Sequence, residues 1–246
     1  MLNISLRDLL EAGCHFGHQV ARWNPKARDF IYTAREEIHI IDLVKTKKGL
    51  EDAFEFLKDS AREGKIIVFV GTKRQARTII EEEAKRVGVF YFKERWVGGF
   101  LTNWDEVKRN LDKIRNLEKL IKNEESTYTK AEIGKFQLEL KRLLRLYQGV
   151  KDIIGPPEVL FVLDVKKESN SVKEANKMGV KIVGVVDTNS DPSTVDFAIP
   201  ANDDAVGSIK LVVKLMADAV EEGSMMAKKK KESEEKKLEK TKTKGK

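Results

Sequence analysis

Five short apolar runs constrain this chain more than anything else in it: "KIIVFV" (65–70), "VFYF" (89–92), "EVLFVLDV" (158–165), "VKIVGVVD" (180–187) and "FAIP" (197–200). They are rich in branched and aromatic side chains, and apolar at consecutive rather than alternate positions. A strand reads that way when both of its faces are buried. Between the first two lies "TKRQARTIIEEEAKRVG", and between the third and fourth "SNSVKEANKMG", both helical in pattern and both closed by glycine. A last helix is expected from about Ala205 to Glu222. Strands alternating with helices make a parallel sheet covered on both faces. The expected class is α/β, an open doubly wound sheet of flavodoxin/Rossmann-like type.

The N-terminal part reads differently. Ser5 with Asp8 resembles a capping box that opens a short helix, and Gly13 is placed to stop it. Residues 13–28 then follow as a loop. "FIYTAREEIHIIDL" (30–43) is two β-type runs around a charged turn, a hairpin. A helix from about Leu43 to Arg62 ends before Gly64.

From about Asp105 to Ile154 no strand pattern occurs. Ile133, Phe136, Leu140, Leu143, Tyr147, Val150 and Ile154 step by alternating threes and fours, a heptad seam. Val107, Leu111, Ile114, Leu117 and Ile121 form a looser one. The polar "NEESTYTKAE" separates them, and Thr129 with Glu132 makes a second capping box. These features predict an antiparallel helical hairpin, a coiled coil, inserted at 105–154. The same stripe could lie flat on the body. The remaining organisation is an α/β domain from 1–104 and 155–226, then a Lys-rich tail from 227–246.

That tail dissects the net charge of +7. Lys228 to Lys246 holds ten Lys and four Glu, a net of +6, so the body is near neutral and any basic surface on it is local. A segment so charged and so poor in apolar residues is expected to be disordered. A single Cys leaves no intramolecular disulfide and suits a reducing compartment. No run of eighteen apolar residues and no signal-peptide segment occur, so no membrane role is expected.

Three stretches carry the candidate chemistry. "GCHFGHQVARWNPKAR" (13–28) groups Cys14, His15 and His18 ahead of Arg22, Trp23, Lys26 and Arg28. One Cys and three His cannot build a Cys-rich zinc site. A mixed site from His18 with Asp187, Asp203 or Asp204 at strand ends is the remaining metal reading, and no bound metal is expected. Guanidinium, ammonium and indole interleaved in one turn suit phosphate contact and base stacking. The alternative is a core Trp among solvated charges. "GTKRQAR" (71–77) follows the first core strand but matches no phosphate-loop pattern; it is a basic cluster of Lys73, Arg74 and Arg77. "ERWVGGFLTNW" (94–104) is either a loop pressed on a large partner or a core-filling turn.

Enzyme classes fare poorly. A phosphate-accepting receiver domain needs acids after its first strand, where this chain has Gly71-Thr72-Lys73. No nucleophile or base pair stands beside Asp164 or Asp187. A protein-binding scaffold using the hairpin is the third class.

"AGCHFGHQVARWNPK", "IHIIDLVKT", "FVGTKRQA", "RWVGGFLTNW", "PPEVLFVLDVKKE" and "VVDTNSDP" follow one another as in a known family. From about Ile4 to Val220 the chain resembles the bacterial-type family of the second small-subunit ribosomal protein. The resemblance implies a Rossmann-like sheet with a protruding helical hairpin, in a late-joining component of the cytoplasmic ribosome. It implies contact with small-subunit rRNA and other small-subunit proteins, help in holding the large mRNA-binding ribosomal protein numbered one, and no catalysis, cofactor or small-molecule substrate. The residues then expected at RNA are His15, His18, Arg22, Trp23, Lys26, Arg28, Lys73, Arg74, Arg77, Arg95, Trp96, Asn103, Trp104, Lys108 and Arg109.

Overall fold

The computed structural model describes residues 4–122 and 128–243, of which 230–243 as backbone only. Helix α1 (Leu6–Glu11) opens on the expected capping box: Ser5 Oγ accepts from the Asp8 amide, and Asp8 accepts from the Ser5 amide. Strands β1 (Phe16–Gln19), β2 (Ile31–Arg35) and β3 (Ile38–Ile41) form a small antiparallel sheet in the order β1-β3-β2. The predicted hairpin is β2-β3. Its turn residues Glu36 and Glu37 have φ of 50° and 63°, the left-handed pair that a tight hairpin turn demands.

The segment 13–28, expected as a loop, instead supplies β1 and two 3-10 turns, Val20–Arg22 and Pro25–Phe30. "FGHQ" shows no alternation because β1 is held by backbone bonds rather than by a buried face. The His18 amide donates to Thr188 Oγ1 (2.9 Å) and the Asn24 amide to the Thr188 carbonyl (2.8 Å). Gly17 permits this approach: a Cβ there would lie 2.6 Å from the Thr188 side chain.

Helix α2 (Leu43–Arg62) follows, capped by Asp42. The five apolar runs are the strands β4 (Ile67–Val70), β5 (Phe90–Phe92), β6 (Val159–Val162), β7 (Lys181–Val186) and β8 (Phe197–Pro200). All pair parallel, in the spatial order β5-β4-β6-β7-β8. Counted along the chain this is 2-1-3-4-5, the doubly wound order expected. Helices α3 (Arg77–Val87), α4 (Trp104–Lys122), α5 (Lys130–Tyr147), α6 (Ser169–Met178) and α7 (Val206–Thr243) complete the chain.

Successive strand residues bury on opposite faces. Ile67, Phe69, Phe161, Val183 and Ile199 pack with α2, α3 and α7, while Val68, Val70, Leu160, Val162 and Ile182 pack with α4, α5 and α6. Cys14 is fully buried in the first of these cores, where burial pushes its thiol pKa up.

Helices α4 and α5 lie against each other, Lys113 pairing with Glu139 and Asn110 with Tyr147. The seam is not self-contained. Val107, Leu111, Ile114, Tyr147, Val150 and Ile153 share one core with the sheet and with Phe92, Trp96 and Phe100. The base of the helix pair is therefore part of the domain. The middle of the polar connection, 123–127, lies outside the described residues.

The last helix does not stop near Glu222; its backbone runs to Thr243, and Lys and Glu are good helix formers. The expected disorder of the tail concerns residues whose side chains, from 230 on, lie outside the description. Gly223 marks where α7 presses on α2: a Cβ there would lie 2.1 Å from the Lys58 carbonyl oxygen. Among the described residues no helix is long and apolar enough to cross a membrane.

Candidate nucleic-acid interface

In open α/β sheets, ligands collect outside the carboxyl ends of the strands where the order reverses. Here that point lies between β4 and β6, and the chain's own side chains fill it. Lys73 leaves the end of β4, and its Nζ lies 2.8 Å from Asp164, 2.7 Å from Asp203 and 2.8 Å from Asp204. Thr72 donates its amide (3.1 Å) and its hydroxyl to one oxygen of buried Glu168. A phosphate seated there would displace these carboxylates.

The cluster continues to His18. Its Nδ1 lies 3.0 Å from Asp187 and its Nε2 3.3 Å from Asp204, so β1 is stapled to the ends of β7 and β8. The hydrogen bond with Asp187 raises the His18 pKa against the opposing effect of burial. Burial alone would lower the Lys73 pKa, but the surrounding carboxylates, Asp203 foremost, hold it above the ordinary lysine value. Asp203 is pushed up to about 7 by burial and by the charges of Asp164 and Asp187. Its Oδ2 is buried with no hydrogen-bond partner among the described residues. Potential metal-ligand atoms of His18, Asp203 and Asp204 lie within 4.8 Å of one another, so the fold assembles the mixed set weighed from the sequence, with the Lys73 ammonium beside it.

This geometry gives several residues of the expected RNA set partners within the fold. Lys73 is enclosed by carboxylates, with 12% of its side chain exposed. His18 is a bridge within the fold. His15 is half-buried against Phe16, and burial lowers its pKa. Trp96 is a core residue: its ring meets Phe92 and Phe100 edge-on, and its Nε1 donates to Glu174 (3.1 Å). The same carboxylate accepts from the Gly99 and Leu101 amides, so "ERWVGGFLTNW" is a core-filling turn. Trp104 is half-buried against Phe100.

Others are on the surface but engaged. Lys26 pairs with Asp191 (2.7 Å) and donates to Ser193 (3.2 Å), tying the 25–30 turn to the loop after β7. Arg77 pairs with Glu94 (2.9 Å), and Arg109 with Glu106 (3.1 Å). Arg22, Arg28, Arg74, Arg95, Asn103 and Lys108 are exposed, and none of these cations meets a carboxylate within ion-pair distance among the described residues. Trp23 is 38% exposed between Arg22 and Asn24, with its ring tilted over His39 at 5.6 Å.

Sequence reasoning missed Lys166, Lys167 and Lys173. All three are exposed, on the loop after β6 and on α6, and Lys166 and Lys173 line a cavity together with Asn24. The basic pair directly after a strand end was the available signal. Arg74, Arg95, Lys166 and Lys167 all sit on segments that directly follow the carboxyl ends of parallel strands.

Comparison with known proteins bears on what this end meets. The family model described as "Ribosomal protein S2" matches residues 9–223. A Koribacter versatilis protein named small ribosomal subunit protein uS2 is 48% identical over 228 residues, covering 92% of this chain and 76% of that relative. The protein of the same name from Dictyoglomus turgidum is 48% identical over 224 residues, 91% of each chain. That of Picosynechococcus sp. is 46% identical over 224 residues, covering 89% and 86%. With a family match over most of its length and relatives this similar, the chain belongs to the ribosomal protein S2 family.

Proposed function

We propose that this protein binds small-subunit rRNA within the cytoplasmic ribosome, gripping the RNA backbone through cations at the carboxyl end of its sheet. The family is structural rather than enzymatic. The observation that carries the RNA reading is the pair Arg22 and Arg28. Both are exposed and meet no carboxylate within ion-pair distance among the described residues, and they flank exposed Trp23 on a segment fixed by Pro25, by the Asn24 cap and by the Lys26–Asp191 pair. Fixed cations position a protein on RNA, while a free tail adds only charge-driven affinity. Arg74, Arg95 and Lys108 extend the same grip.

Docking of the large mRNA-binding ribosomal protein is a further part of this reading, supported by the family resemblance. So is a coiled-coil role for the outer parts of α4 and α5, supported by the heptad seam and by the Lys113–Glu139 pair.

The test is reconstitution of small subunits with Arg22→Glu/Arg28→Glu protein and a random-RNA control. The expected result is loss of stable incorporation with unchanged melting and with most non-specific binding retained. Normal incorporation of the double variant sinks the proposal.

A further inference from the structure

Beside the cation cluster lies a cavity of about 230 Å³, enclosed by the segment around Asn24, the start of α6 and the loop after β7. It is smaller than the roughly 300–1,000 Å³ that buries a drug-sized ligand, which suits a single base with part of its ribose. Its floor is apolar, Val165 and Val172. Its polar rim offers donors. Asn24 Oδ1 accepts from the Lys26 amide (3.0 Å) and Asn189 Oδ1 accepts from the Ser190 hydroxyl (2.9 Å), and each Nδ2 has no partner among the described residues.

Charge at the rim is one-sided. Asp191 is the one acid lining the cavity, and Lys26 neutralises it at 2.7 Å. Lys166 and Lys173 are exposed and meet no carboxylate within ion-pair distance among the described residues. An apolar floor, two free amide donors and two free ammonium groups complement a flat heterocycle with acceptor atoms and an adjoining phosphate. In RNA a phosphate adjoins every base, whereas a protein segment carries an anion beside a flat ring only where an acidic side chain happens to fall.

We infer that this cavity receives an unpaired nucleotide of the bound RNA, with the base on Val165 and Val172, the Asn24 and Asn189 amides on its acceptor edge, and Lys166 and Lys173 on its phosphates. The inference rests on the proposed RNA-binding role and adds a preference that the role does not require. A duplex keeps its bases stacked and can engage the cations but not the cavity.

The experiment titrates the full-length protein with a ten-nucleotide single-stranded RNA and with the duplex of the same sequence, across a range of salt. The wild type should prefer the single strand. Asn189→Ala should lose that preference by about tenfold, the size of one good polar contact to a base, and keep its duplex affinity. Lys166→Gln/Lys173→Gln should lower the single-strand log–log salt slope by somewhat more than about one unit. These are surface changes, and melting curves check that the variants fold. Equal affinity of the wild type for both RNAs overturns the inference, as does a preference that survives both variants. The parent reading fails in a different way: neither RNA binds, or Arg22→Gln/Arg28→Gln binds both as the wild type does.

Discussion

Lys73 and Asp203 lie 2.7 Å apart at the mouth of the parallel sheet, with 12% and 0% of their side chains exposed. With Asp164 and Asp204 on the same ammonium, this pair occupies the place where related sheets hold a phosphate. The scaffold's usual ligand crevice is closed from within, and its outer rim is free for a larger partner.

Removing the ammonium should therefore unfold the domain rather than loosen RNA. Lys73→Met leaves three carboxylates without their cation, and breaking such a buried pair costs about 3–5 kcal/mol. Urea unfolding of the variant should show a loss of that size at pH 8. The loss should be smaller at pH 6, where Asp203, with its pKa near 7, takes up a proton. A loss below about 0.5 kcal/mol, the range of an ordinary surface substitution, contradicts this assignment.

The wild type should itself lose stability between pH 6 and pH 8. The folded-state pKa of His18 lies above 6.5, so its contribution is complete below that pH and is lost as pH rises through the folded value. Asp203 acts in the same direction, its share vanishing as pH rises from 3.8 through about 7. The groups facing His18 are Asp187, Asp203 and Asp204, with Lys73 behind them. His18→Gln should give a shallower decline of melting temperature over this range; an unchanged slope refutes the staple.

The α4–α5 pair should prove divisible at one place only. Replacing 108–150 by a short Gly-rich turn removes Leu111, Ile114, Tyr147 and Val150 from the core shared with the sheet, and cooperative melting should disappear. Replacing only 119–136 keeps those residues, and melting should stay within a few degrees of the wild type. A 108–150 deletion that melts cooperatively shows the seam to be self-contained after all.

Two glutamates in a left-handed turn are strained, at roughly 1–2 kcal/mol each by the general penalty on side chains there. Glu36→Asn/Glu37→Gly supplies the residues that tolerate this turn and should raise stability by about 1 kcal/mol in urea titration. A lower stability indicates that the glutamate side chains hold the hairpin in some other way.

The legible parts of the fold were those decided by chain neighbours. β4, β6 and β7 are apolar on both faces, so their runs appear directly in the sequence, and the Ser5 and Thr129 caps announce their helices three residues ahead. β1 was hidden because Phe16–Gln19 presents no buried face; it is held by pairing with β3 and by the His18 amide on Thr188, far along the chain. The same distance hid the partners of Lys73, whose carboxylates come from two later loops, and of Trp96, whose indole answers to Glu174. Basic and aromatic residues were found, but whether each was free depended on partners that local patterns do not reveal. Arg22, Trp23 and Arg28 proved exposed, and neither arginine meets a carboxylate within ion-pair distance among the described residues.

Crosslinking of assembled small subunits, with mapping of the protein peptides joined to rRNA, tests the central claim most directly. RNA should be joined to peptides spanning 20–28, with further crosslinks at Arg74, Arg95 and Lys166 to Lys173, and none at His18, Lys73 or Trp96. Crosslinks confined to the outer part of α4 and α5 or to the Lys-rich tail, with residues 20–28 unlabelled, would contradict a grip built at the carboxyl end of the sheet.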